Sequence, residues 1–95
     1  MTNEKFLTEM DAAAEVVGRL PEGVEAIGVI FDGTVPYEKK RHTIVQVHGD
    51  LVEYAEAVGL KVSQDMTRIT GELWEETYAQ EINDVVLLLM KRVEP

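Results

Sequence analysis

The residues with chemistry to offer cluster between positions 72 and 84. Glu72-Leu73-Trp74-Glu75-Glu76-Thr77-Tyr78 interleaves carboxylates with two large aromatics, and Glu81 and Asp84 follow closely. If this stretch is extended, the period of two puts Glu72, Trp74, Glu76 and Tyr78 on one side, with the Glu72 and Glu76 carboxylates roughly 13 Å apart. Trp and Tyr are frequent interface anchors, and a carboxylate rim suits a partner rich in arginine or lysine. Glu72, Trp74, Glu75, Glu76 and Glu81 are therefore the candidate partner-binding residues. The plainer expectation puts Trp74 and Tyr78 in the core and the glutamates in solvent.

Other reactive residues are poorly placed for catalysis. His42 and His48 fall on one side of a strand but about 20 Å apart, too far to share a metal ion. Asp50 lies near His48, yet no serine, cysteine or threonine is placed to act as their nucleophile, and solvated surface histidines are expected. Gly23, Gly28 and Gly33 recur every five residues across a strand, which matches neither a phosphate-binding loop nor a dinucleotide fingerprint. No enzyme is expected, and no cofactor or metal. Lys39-Lys40-Arg41-His42 is a compact basic run that could touch nucleic acid or simply be a solvated loop.

Charge narrows the partners. The 95-residue chain has a formal net charge of −9. From position 49 to 84, nine acids stand against Lys61 and Arg68, while the other nine acids stand against seven bases. Such a chain repels nucleic-acid phosphates and anionic membranes at long range and favours basic partners. Cysteine is absent, so there is no disulfide framework, and a reducing compartment, the cytoplasm, is expected. Neither a signal peptide nor a membrane span is legible.

The elements that must position these residues follow from periodicity. Phe6, Leu7, Met10, Ala13, Ala14, Val17 and Leu20 recur at helical spacing, capped by Thr2 or Asn3, and predict a core-facing helix ended by Pro21-Glu22-Gly23. Residues 24–31 predict a strand with Ile27, Val29 and Phe31 on one face and Ala26, Gly28 and Ile30 on the other. A long loop, 33–41, leads to a returning strand at 43–47. Asp50 and Glu53 resemble a capping box that opens a helix of about ten residues with Leu51, Tyr54, Ala55 and Val58 on its apolar face. Gly59 stands at the left-handed C-cap position, with Leu60 folding back.

Beyond Lys61 the pattern divides. Thr67, Ile69, Gly71 and Leu73 alternate, but the adjacent Leu73 and Trp74 break the alternation. Either a β-bulge lies there, with Trp74, Tyr78 and Ile82 continuing the buried face, or 71–82 is a helix capped by Thr70. Asn83-Asp84 ahead of an apolar run favours the hairpin. That run, Val85-Val86-Leu87-Leu88-Leu89-Met90, predicts a strand buried on both faces. One α+β domain results, ordered α-β-β-α-β-β, with a four-stranded, mostly antiparallel sheet and two helices on one face. Because two helices cover only one face, a symmetric homodimer is expected to cover the other.

The order of elements and the segment Gln80-Glu81-Ile82-Asn83-Asp84-Val85-Val86 resemble small acidic proteins encoded by bacterial phages and mobile elements. The resemblance implies no activity by itself. With the acidic segment it suggests a non-enzymatic interaction protein that binds a basic surface on a host protein. In its sharpest form, the carboxylates mimic nucleic-acid phosphates and block a nuclease or an RNA-guided defence complex, as anti-restriction and anti-CRISPR inhibitors do. The alternatives are an oligomeric scaffold and a nucleic-acid binder acting through 39–42.

Overall fold

In a computed structural model, which describes residues 2–81 and 83–94, the chain forms two helices and one five-stranded mixed sheet. The elements are α1 (Asn3–Arg19), β1 (Val24–Val35), β2 (Glu38–Gly49), α2 (Leu51–Val58), β3 (Lys61–Ile69), β4 (Glu72–Gln80) and β5 (Val85–Arg92). The spatial order is β1-β2-β5-β4-β3. All neighbours are antiparallel except β2 and β5, which run parallel.

The apolar run at 85–90 is the central strand. Val85 and Leu87 pack with Val45, Val47 and Ala79 beneath the helices, while Val86 and Leu88 join Val35, Ile44 and Tyr78 on the other face. Both faces of β5 are thus covered, which is why its sequence shows no polar alternation. The helices supply Ala13 and Val16 from α1 and Leu51 and Ala55 from α2, all buried in the first cluster.

The expected four strands become five because one predicted strand is two. Thr70 and Gly71 both have left-handed φ, 53° and 81°, and Ile69 pairs directly with Glu72. Two such central residues make the tight primed turn that suits a hairpin. The break lies there, so neither a bulge at Leu73-Trp74 nor a helix over 71–82 occurs. The hairpin turn before β5 holds, with Glu81 N–H donating to Val85 O at 2.8 Å. Ile82, expected on the buried face, lies outside the described residues.

The β1–β2 connection also differs from expectation. Instead of a long loop, β1 continues to Val35 and β2 begins at Glu38, leaving a two-residue link. Only Thr43–Gln46 of β2 pairs with β5, so the hairpin tip is free to bend across the sheet. Tyr37 there meets Tyr78 of β4 edge-on, with ring centroids 6.0 Å apart. This curl, rather than a second chain, closes over Val86 and Leu88 (0% and 5% exposed), so their burial needs no symmetric partner. A bulge between Ala26 and Gly28 shifts the β1 register, and the predicted faces exchange beyond it. Ala26 packs in the helix-side core, Val29 stands opposite Val45, and Ile30 stands opposite Ile44.

Capping is half as expected. Thr2 Oγ1 accepts from Lys5 N–H at 3.2 Å, and Gly59 ends α2 at φ 76° with Leu60 N–H donating to Ala55 O. Asp50 makes no side-chain cap. Its N–H instead donates to Gly23 O at 3.0 Å, in the tight approach that joins the start of β1 to the end of β2. The α1 stripe is mostly not core. Phe6, Leu7, Met10 and Val17 stay 38–59% exposed, because the helix lies over β1, β2 and β5 and turns only the side carrying Ala13 and Val16 into the core.

Candidate partner-binding face

The face of the sheet opposite the helices carries the candidate residues. On β4, Trp74 stands opposite Thr67 of β3 and Arg92 of β5, Glu76 opposite Asp65 and Met90, and Tyr78 opposite Ser63 and Leu88. The predicted alternation of Glu72, Trp74, Glu76 and Tyr78 onto one side is therefore realised. Trp74 forms one wall of a cleft of about 190 Å³ that runs across four strands, with Met90, Leu88, Gln46, His48 and Ile27 along it. Its indole Nε1 is buried with no acceptor among the described residues. An orphaned buried donor costs about 1–3 kcal/mol.

The carboxylates around this cleft have distinct environments. Glu76 accepts a hydrogen bond from the Tyr78 hydroxyl at 2.6 Å. Burial, then this bond and the charges of Glu76 and Asp65, raise the Tyr78 phenol well above its ordinary range. Asp65 and Glu76 are cross-strand neighbours, and like charges placed directly opposite are destabilising. Glu72 lies 3.4 Å from Arg92 Nη1, an exposed pair of little energetic weight.

Glu75 and Glu81 do not join this group. Glu75 points to the helix side of β4, across from Lys91 and Met66. Glu81 is only 6% exposed; it accepts from the Tyr54 hydroxyl at 3.3 Å and lies 3.7 Å from Arg19 Nη2. It ties β4 to both helices and belongs to the fold. Asp65, Gln46, His48 and Ile27 belong to the face but were not singled out from sequence. Only the strand register could have brought Asp65 beside Glu76, and that register depends on the Thr70-Gly71 turn.

The basic run is largely consumed internally. Lys40 Nζ pairs with Asp84 at 2.6 Å, and this hydrogen bond chiefly holds the Asp84 carboxyl below its usual range. Arg41 donates to the Asp32 carbonyl. His42, expected on the surface, has a fully buried side chain; its Nδ1 lies 3.0 Å from Asp84 O and its Nε2 3.2 Å from Glu38 Oε1, off the line of a hydrogen bond. These residues anchor the β1–β2 hairpin to the β4–β5 turn. A broader groove at the β3–β4 turn contains Arg68 and Arg92, but Arg92 is already matched by Glu72 and Glu94. Among the described residues no helix is long and apolar enough to cross a membrane, and no three His, Cys, Asp or Glu side chains converge on a metal position.

No protein family model, curated protein or solved structure matches this chain.

Proposed function

We propose that this chain is a non-enzymatic interaction protein whose open sheet face binds a basic surface on another protein. Trp74 and the apolar cleft supply the contact area, and Asp65, Glu72 and Glu76 meet arginine or lysine side chains. The observation that carries this reading is the Asp65–Glu76 pair beside the Trp74 cleft. Two like charges are held together next to an apolar surface, an arrangement that costs stability and that a cationic partner would relieve. In the sharper form, the carboxylates take the place of nucleic-acid phosphates on a host nuclease or an RNA-guided defence complex, as the resemblance to phage-type proteins suggests. Glu75 and Glu81, on the other side of β4 and in the core, have no part in this contact.

Affinity capture from a bacterial lysate, with and without added single- and double-stranded nucleic acid, tests the reading. A captured protein that nucleic acid displaces supports phosphate mimicry. Capture that is insensitive to nucleic acid and to salt contradicts it. Direct binding of labelled DNA or RNA to the chain would overturn it in favour of a nucleic-acid binder.

A further inference from the structure

The sheet parts along an inner seam. The β2–β5 pairing ends at Gln46 and Leu88, yet β2 runs on to Gly49 and β5 to Arg92. Which main-chain groups face the seam follows from each strand's other neighbour. Glu81 N–H donates to Val85 O and Val93 N–H to Leu73 O, so the odd-numbered residues of β5 turn their main-chain groups to β4. Met90 and Arg92 turn theirs away from β4, into the seam. On β2, Asp50 N–H donates to Gly23 O, so His48 faces β1 and Val47 faces the seam. The Val47 carbonyl and the Met90 N–H are next in line for the ladder, but among the described residues no pairing joins them. Ile27, Val47 and His48 on one side and Trp74, Leu88 and Met90 on the other wall the open-face cleft, which therefore sits where the ladder stops.

Unpaired strand groups beside an apolar surface are a template for another strand. The outer edges are guarded against this: β3 carries Lys61, Asp65 and Arg68, and β1 shifts register at three places. From Leu88 to Met90 the inner edge has neither device. We propose that an extended segment of the basic partner adds here as a strand beside β5, hydrogen-bonding the free main-chain groups of Met90 and Arg92. The inference rests on the reading above that the open face binds a basic protein, and it states the form that contact takes. Every second side chain of the guest strand stands on the open face. A guest residue beside Met90 lies about 10 Å, two strand spacings, from Glu76, which pairs with Met90 across β4. A lysine or arginine there reaches over Met90 to the Glu76–Asp65 pair, whereas a carboxylate would add a third negative charge. Arg92 brings little opposing charge, because Glu72 and Glu94 already match it. The other guest side chains turn to the helix side, beside Val47 and Leu89 of the core. The occupant is thus a strand that alternates basic with apolar residues.

A blocked octapeptide of alternating lysine and valine is the probe. Trp74, the one tryptophan of the chain and a wall of the cleft, reports binding by its fluorescence. Methylating the peptide nitrogens of either the lysines or the valines keeps charge and side chains but removes the N–H groups of one strand edge. One of these two forms is expected to bind at least ~10-fold more weakly than the parent. Met90→Pro removes the free N–H while Leu89 and Lys91 keep their bonds to β4. It is expected to bind the parent peptide at least ~10-fold more weakly than Met90→Val, which trims the same side chain but keeps the N–H. If Met90→Pro misfolds, the methylated peptides give the result on the wild type. Equal binding of all three peptides, or of the folded proline and valine variants, overturns strand addition, as does no binding at about 1 mM peptide. Failure of the underlying reading looks different: Asp65→Lys, Glu72→Lys would then bind the parent peptide as well as the wild type, whether or not methylation matters.

Discussion

Replacing Trp74 by Phe should make this protein more stable while weakening the proposed partner contact. The indole Nε1 is buried without an acceptor among the described residues, although the side chain as a whole is not fully buried. Exchanging indole for phenyl removes roughly 40 Å² of aromatic surface, of which about three-quarters is buried, a loss of about 0.75 kcal/mol at 25 cal/mol per Å². Removing the orphaned donor returns about 1–3 kcal/mol. The net gain is about 0.25–2.25 kcal/mol, and at roughly 4–8 °C per kcal/mol the melting temperature should rise by about 1 °C or more. Urea denaturation followed by circular dichroism measures this without relying on tryptophan fluorescence, and an unchanged m-value shows that the folded state is otherwise the same. If Trp74→Phe lowers stability by more than about 1 kcal/mol at constant m, the indole N–H is satisfied in solution and the reasoning fails. The second half of the expectation concerns binding. Trp74 forms one wall of the cleft, so the smaller phenyl ring gives up contact area there and the more stable variant should bind the proposed partner less well.

Three further outcomes follow from the structure. Gly49→Ala should lose more than about 3 kcal/mol or fail to fold, because a Cβ there would lie 1.8 Å from the Gly23 carbonyl oxygen and φ is 103°; thermal melting checks it. The raised Tyr78 phenol means its neutral form is favoured in the fold, so its contribution is fully present below pH 10 and is lost as pH rises above 10. Urea midpoints measured from pH 8 into the alkaline range should therefore fall less steeply for Tyr78→Phe than for the wild type, with a residual slope from Tyr37 and Tyr54, whose phenols burial also raises. Glu81→Ala should cost about 1–3 kcal/mol by stranding the Tyr54 hydroxyl and Arg19, whereas partner affinity should not change; a drop in affinity without loss of stability would return Glu81 to the binding face.

What the sequence reveals of this fold depends on how local each signal is. The run at 85–90 names the central strand because burial on both faces removes polar alternation, and Gly59 marks a C-cap because its backbone geometry is set by one turn of helix. The break at Thr70-Gly71 is hidden because a β-branched residue at positive φ is the wrong composition for a turn, although the geometry is the one a tight hairpin requires. That one turn decides between four strands and five. It also determines whether Asp65 reaches Glu76. The α1 stripe is read correctly as apolar but not as exposed, since periodicity reports which side of a helix is apolar and not which part of that side the sheet takes, here the part carrying Ala13 and Val16. Glu81 looks like its acidic neighbours, and only the packing of two helices over the end of β4 separates it from them. Trp74, Glu72 and Glu76 were legible because period-two alternation along one strand is enough to place them.

The central claim is that carboxylates on the open sheet face meet a basic partner, and one measurement tests it most directly. The captured partner is titrated, by isothermal calorimetry at low and high salt, against the wild type and against Asp65→Lys, Glu72→Lys. Both positions are exposed, so the reversal should leave the melting temperature near that of the wild type. The account predicts that the variant binds at least ~100-fold more weakly at low salt and that the difference shrinks as salt rises. Equal affinity of the folded variant and the wild type at low salt would contradict it.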